Sequence, residues 1–249
     1  MSDVFSRINE DIDALKIGAY AGGLMSLLDS EAMSPAQLDA VALVFDHLRR
    51  QKEETIRNTL LKMSRLPLKE PKTFSNFDFN NVRGKQVESL KNLPALTAVN
   101  AGRNLAFIGP QGVGKTHLAM AYGRECCIRG MKTYFLKATE LNQRLTDAVK
   151  YGRESSTING LVKPSCLIID EIGYTPITRS QANRFFTFIS DTYETSSIIF
   201  TTNKEIMNWA ELMGDPVLTT AMLDRILHHA NCYSFRGESY RLKHPDVFS

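Results

Sequence analysis

The sequence predicts an α/β protein: a parallel sheet with helices on both faces, preceded by a small all-helical N-terminal domain. Three observations predict it. Short apolar strands alternate with helical patterns in residues 71–249, a glycine-rich loop joins one such strand to a helix, and residues 8–65 carry helical periodicity alone.

The chain is long enough for one sizeable core plus an appendage, and 43% hydrophobic with 23% charged residues excludes a disordered or fibrous class. Cys126, Cys127, Cys166 and Cys232 show no CxxC spacing, which argues against a zinc site or a disulfide framework and for a reducing compartment. No apolar run approaches the roughly 18 residues of a membrane span, and the start, Met1-Ser2-Asp3-Val4, has no basic leader. A cytoplasmic protein with no membrane partner is expected.

In order along the chain, Leu24, Leu27 and Leu28, then Leu38, Val41, Ala42, Phe45 and Leu48 recur at helical intervals. Ser34-Pro35 separates two helices, with Ser34 as N-cap and Pro35 at the first helical position. The second helix should continue through Ile56, Leu60 and Met63. Pro67 and Pro71 end it, which sets a boundary near residue 70 and domains of 1–70 and 71–249. Charge is uneven: residues 1–46 carry a net −6, residues 47–72 a net +5. Strands follow at 104–108, 133–136, 166–170, 197–201 and 232–235. Right-handed crossovers would bring their C-terminal ends to one edge of the sheet.

The motifs fall at that edge. Gly109-Pro110-Gln111-Gly112-Val113-Gly114-Lys115-Thr116 follows the strand Leu105-Ala106-Phe107-Ile108 and opens a helix at His117, the spacing of a phosphate-binding P-loop. Its glycines let backbone N–H groups turn toward phosphate oxygens, and the helix dipole adds positive potential. Lys115 would reach the β/γ-phosphates, and Thr116 would place its hydroxyl on Mg²⁺. Strand 166–169 ends in Asp170-Glu171. Alternation sends the two carboxylates opposite ways, so Asp170 can serve the metal while Glu171 polarises water; the plainer role is a pair of acids capping a turn.

Asn203 follows the strand at 197–201 and either orients water or the γ-phosphate, or caps a helix. No Asp follows the Asn203-Lys204-Glu205-Ile206 run, so guanine recognition is discounted and ATP is the expected nucleotide. Arg225 lies on a helix and either completes a neighbouring subunit's site or pairs with Asp224, the pairing being the reading the sequence favours. Arg49, Arg50 and Arg57, and separately Arg144, Lys150 and Arg153, are candidate DNA contacts; in the second group Leu141, Leu145 and Ala148 form the apolar face. The alternative for the first group is a solvated helical face with a Glu53–Arg57 ion pair.

Together these residues resemble the AAA+ ATPases, and more narrowly the DnaC-type bacterial helicase loaders and their IstB-like relatives, the helper ATPases of insertion-sequence transposition. The resemblance runs through Phe74-Ser75-Asn76-Phe77-Asp78-Phe79, loop 109–116, the Asp-Glu-x-Gly form at 170–173, Thr201-Thr202-Asn203, Asp224-Arg225-Ile226-Leu227-His228-His229 and Gly237-Glu238-Ser239-Tyr240-Arg241. It implies that Phe74 and Phe77 lie near the adenine, that Asn203 is a first sensor, and that Arg225 is an intersubunit finger in a homo-oligomer. Arg241 takes a second-sensor position, with no C-terminal lid domain behind it. Double-stranded DNA and a cognate transposase are the implied partners. A helicase loader acting on single-stranded DNA, and a DNA-binding scaffold that holds nucleotide with negligible turnover, are the rivals.

Overall fold

A computed structural model describes residues 2–31, 33–82, 86–192, 195–205, 208–209, 216–228, 230–237 and 239–240. The chain divides into two compact units, Met1–Thr59 and Leu60–Ser249.

The first unit is helical: α1 (Ser2–Leu15), α2 (Ala21–Ser30) and the start of α3 (Pro35–Met63). Ser34 caps α3 as its sequence requires. The Gln37 side chain accepts from the Ser34 N–H and hydroxyl at 2.9 Å, and the Gln37 N–H reaches back to Ser34 Oγ at 3.4 Å, closing a capping box. Ile8, Ile12, Leu28, Leu38 and Ala42 form the core of this unit. Lys52 Nζ donates to the carbonyl oxygens of Ala14 and Leu15, satisfying the C-terminus of α1.

Arg49 belongs to this framework. Its guanidinium bonds Asp11 at 2.6 Å, Asp46 at 2.5 Å and Glu53 at 2.9 Å, so its charge is already answered by three carboxylates. Arg50 pairs with Asp46 at 2.8 Å. Glu53 thus pairs with Arg49, one turn back on α3, where the sequence offers Arg57 at the same spacing one turn forward.

The second unit holds five parallel strands: β1 (Asn104–Ile108), β2 (Thr133–Lys137), β3 (Cys166–Ile172), β4 (Ser197–Thr202) and β5 (Ala230–Ser234). Their order is β2-β3-β4-β1-β5. Around them lie α4 (Val87–Lys91), α5 (Thr97–Asn100), α6 (Lys115–Ile128), α7 (Ala138–Lys150), α8 (Glu154–Val162), α9 (Arg179–Thr192) and α10 (Pro216–His228). Strand alternation divides the core into two layers. Ala106, Leu167, Ile169, Ile198 and Phe200 pack toward α7, α9 and α10, while Leu105, Phe107, Cys166, Ile168 and Ile199 pack toward α6. That two-sided burial is why these strands read as continuous apolar runs.

Residues just past α3 belong to this unit: Leu66 is buried in the α6 layer, and the Phe135 N–H on edge strand β2 bonds the Ser64 carbonyl at 2.8 Å. At the opposite edge, the Gln86 amide bonds both Cys232 O and Ser234 N on β5. Among the described residues, no helix is long and apolar enough to cross a membrane.

Candidate functional site

Chain direction puts the C-terminal ends of β1, β3 and β4 side by side, so the loop after β1 faces the acids of β3 and the Thr201-Thr202-Asn203 run of β4. Between β1 and α6 the loop takes left-handed backbone at Gly112 (φ 77°) and Gly114 (φ 94°). Space also demands glycine there. A Cβ on Gly112 would stand 2.0 Å from Ser239 Oγ, and one on Gly114 would stand 2.5 Å from the Phe77 ring. Lys115, buried at the first turn of α6, donates to the carbonyls of Gly109 at 2.7 Å and Pro110 at 2.5 Å.

Thr116 Oγ1 donates to Asp170 Oδ1 at 2.8 Å, and Thr201 Oγ1 donates to the same oxygen at 2.6 Å. Asp170 is only 2% exposed. Burial pushes its carboxyl above the usual range, opposed by the two hydroxyl donors. Glu171 departs from the strand. The β3–β4 register shifts between Ile169 and Ile172, and Glu171 takes φ 62° with its N–H on Thr201 Oγ1 at 3.0 Å. Its carboxylate lies 3.0 Å from Lys137 Nζ.

Thr116 and Thr201, the two donors to Asp170, share with Glu171 one cleft of about 380 Å³, lined by Gln111, Gly112, Lys115, Thr116, Lys137, Glu171, Tyr174, Thr201, Thr202 and Asn203. Asn203 is outside any helix, and Lys204 N bonds Thr202 Oγ1 at 3.1 Å. Thr201 and Lys137 have no expected role in the site. The sequence signal for Lys137 is a strand-end position at the shared sheet edge, and for Thr201 that position together with its place in the Thr201-Thr202-Asn203 run.

The Phe74–Phe79 run sits against the loop. Phe77 meets His117 edge-on at 5.2 Å and Phe79 at 4.8 Å, while Phe74 packs on the α6 layer. His117 Nε2 lies 2.9 Å from both Thr73 O and Asn76 Oδ1. Asn76 Oδ1 also accepts from Thr73 N and its Nδ2 donates to Pro71 O, so both oxygens are acceptors and Nε2 carries the proton. Burial lowers the His117 pKa, favouring this neutral form. On the far side, Tyr240 N–H donates to Gly112 O at 2.9 Å. Arg241 lies outside the described residues.

Arg225 stands apart from this cleft. Exposed on α10, its guanidinium covers the Phe186 ring at 4.7 Å and donates to Ser190 Oγ, so its partners are on α9 and not Asp224. Arg144 bonds Glu140 at 2.8 Å and stacks on Tyr134 at 5.6 Å. Arg65 takes the same acid and the same ring. Arg144 and Arg153 line a second cleft of about 460 Å³ with Tyr134 and Tyr151, and Lys150 lies over Tyr151 at 5.3 Å.

A loop that wraps its own lysine at the start of α6, facing a buried aspartate and a kinked glutamate across a five-stranded parallel sheet, defines a P-loop nucleotide-binding protein of the AAA+ type. Comparison with known proteins narrows the class. The chain belongs to the family of IstB-like ATP-binding proteins, whose model matches residues 19–246. It is 41% identical over 193 residues, 78% of this chain and 76% of the relative, to a protein described as the ATP-binding protein of insertion sequence IS5376 from Geobacillus stearothermophilus. It is 33% identical to the corresponding protein of IS232 from Bacillus thuringiensis subsp. berliner, over 100% of this chain and 98% of that one. Among solved structures, the DnaC helicase loader matches 67% of this chain and 93% of its own, with a TM-score of 0.53 at 21% identity. DnaI matches 70% and 93%, with a TM-score of 0.57 at 18% identity. At such identities the likeness is one of fold.

Proposed function

We propose that the chain is a magnesium-dependent ATPase that assembles on double-stranded DNA and assists the transposase of an insertion sequence. One observation carries the catalytic half: Thr116, which lines the cleft with Glu171, meets the buried Asp170, 54 residues away in the chain, at 2.8 Å. The oxygen pair suits a small hard cation, because a carboxylate and a hydroxyl are hard oxygen ligands, here with the Lys137 charge also favouring the ionised Asp170. Thr116 and Asp170 would hold Mg²⁺, which when bound offsets charge on phosphate oxygens.

The chain's own groups supply the remaining roles. Lys115 and the N–H groups of 111–117 hold the triphosphate, Phe74 and Phe77 flank the adenine, and Arg241 acts as second sensor. Glu171 takes a proton from the attacking water, which Asn203 orients. Arg225 completes the cleft of a neighbouring copy, making turnover depend on homo-oligomer assembly. The DNA half draws support from the cleft of Arg144 and Arg153 with Lys150 beside it, and Arg57 is a further phosphate contact in this reading. Relatives named for insertion sequences support the transposase as partner.

The test uses the full-length chain. Lys115→Ala should lose ATP binding by about 30- to 150-fold, the worth of a charge-assisted contact. Glu171→Gln should keep binding while turnover falls about 10²- to 10⁴-fold. Equal turnover in Glu171→Gln and wild type would remove the base assignment. Single-stranded DNA is the rival substrate, favoured by Tyr134 and Tyr151 in the basic cleft. Gel shifts with duplex and single strands decide between them, and preference for single strands overturns the duplex reading.

A further inference from the structure

We propose that Arg65 and Arg144, gathered around Tyr134 on edge strand β2, form a binding site for a backbone phosphate of DNA, apart from the residues that line the nucleotide cleft. The inference rests on the DNA half of the reading above and adds Arg65 to it. Both arginines donate to one oxygen, Glu140 Oε1: Arg65 through Nη1, and Arg144 through Nη2 at 2.8 Å and Nε at 3.1 Å. Two guanidiniums thus share one carboxylate, and the cluster keeps a positive charge. Each guanidinium has five N–H donors, of which Arg144 commits two and Arg65 one to that oxygen, so both retain donors for a second anion.

Backbone geometry brings them together. Arg65 follows the end of α3 in left-handed backbone (φ 64°), beside Ser64, whose carbonyl accepts the Phe135 N–H of β2 at 2.8 Å. That bond sets Arg65 next to Tyr134, and Glu140 and Arg144 stand one turn apart near the start of α7. The side chains of Arg65, Arg144 and Glu140 are 42%, 38% and 33% exposed, so stability is not the reason for the cluster: ion pairs this open shift an equilibrium by no more than about fivefold. The site opens onto the cleft of about 460 Å³ that Tyr134 and Arg144 line with Tyr151 and Arg153. Asp147 also lines that cleft, but Gln143 donates to it at 3.0 Å, and Arg153 with Lys150 outweighs its charge. The two tyrosines favour a nucleotide over an acidic side chain, because a sugar or base beside the bound phosphate finds a ring to pack on.

The experiment measures anisotropy of labelled duplex and single-stranded DNA with the full-length wild type, Arg65→Ala, Arg65→Lys and Glu140→Gln across a salt series, with polyglutamate as a second anionic probe. Arg65→Ala should weaken DNA binding about five- to tenfold at ~0.1 M salt and lower the slope of log affinity against log salt by about one. Arg65→Lys, which keeps the charge, should hold the wild-type slope. Glu140→Gln removes the acid that competes with phosphate and should tighten DNA binding at least about threefold. An Arg65→Ala slope equal to that of a DNA-binding wild type overturns this inference alone, as does weaker binding in Glu140→Gln. So does a loss in Arg65→Ala confined to polyglutamate, which would make an acidic protein segment the occupant. A wild type without affinity for either form of DNA overturns the DNA reading itself, and this inference with it.

Discussion

Replacing Thr201 by valine isolates the hydroxyl that sits between the two acids. Thr201 is 1% exposed, donates to Asp170 Oδ1 at 2.6 Å and accepts the Glu171 N–H at 3.0 Å. Valine keeps the shape and removes both bonds. A hydrogen bond to a buried carboxylate contributes about 1.5–3 kcal/mol, and the N–H left behind adds about 1 kcal/mol, so a loss near 3 kcal/mol is expected at neutral pH. For a domain of this size that is a Tm drop of about 6–12 °C. The loss should depend on pH. Burial raises the folded pKa of Asp170 above its ordinary 3.8, so this group's contribution to stability is fully present below 3.8 and is lost as pH rises through the folded value. Valine removes a donor that favours the ionised form, which raises the folded value further. The penalty of the substitution is therefore largest above both folded values and shrinks as pH falls toward 3.8. Thermal and urea melts of the full chain from pH 8 to pH 4.5, with Thr201→Ser as the hydroxyl-bearing control, measure it. A penalty below about 0.5 kcal/mol at pH 8, or one unchanged across the series, would refute the reasoning.

Gly112→Ala places a methyl 2.0 Å from Ser239 Oγ at φ 77°, so either the loop or the 239–240 segment must move; titration with a fluorescent ATP analogue should show affinity down at least about tenfold, and unchanged affinity would mean the contact is dispensable. Arg49→Ala removes the common partner of Asp11, Asp46 and Glu53, and hydrogen exchange should report faster opening of α1 and the start of α3 with ATP affinity unchanged. Lys150→Ala and Arg153→Ala should each reduce the slope of log affinity for duplex DNA against log salt by about one, whereas Arg49→Ala should leave that slope unchanged.

What the sequence makes legible is what depends on near neighbours in the chain. β1 and β4 read as strands because both faces are buried and each carries an unbroken apolar run, Leu105–Ile108 and Ile198–Phe200, and loop 109–116 reads as a phosphate cradle because its glycines serve a local backbone path. Helix α8, Glu-Ser-Ser-Thr-Ile-Asn-Gly-Leu-Val, carries only three apolar residues, all in its second half, too few to announce itself. The basic run of α3 illustrates a different limit. Counting charges finds Arg49, but one of its three carboxylate partners, Asp11, lies 38 residues upstream on α1, and only packing reveals that contact.

Lys137 and Thr201 show the same limit at the cleft. Each ends a strand, yet their relation to Asp170 and Glu171 follows from the order β2-β3-β4-β1-β5, which sets β2 and β4 on either side of β3. Simple alternation correctly separates the two acids, but by an incomplete route. A straight β3 would turn Glu171 into the layer opposite Asp170. The register shift and positive φ instead keep it at the sheet edge, where it shares a cleft with Thr116. A left-handed backbone at a non-glycine residue is costly, by about 1–2 kcal/mol, and persists only where surrounding bonds hold it. Here Thr201 holds the N–H and Lys137 the carboxylate. That strained residue is the one whose chemistry the proposed hydrolysis requires, so a Glu171→Gly variant should fold at least as stably as wild type while losing turnover. If Glu171→Gly instead destabilised the full chain in thermal melts, the strain at this position would not be a cost carried for function.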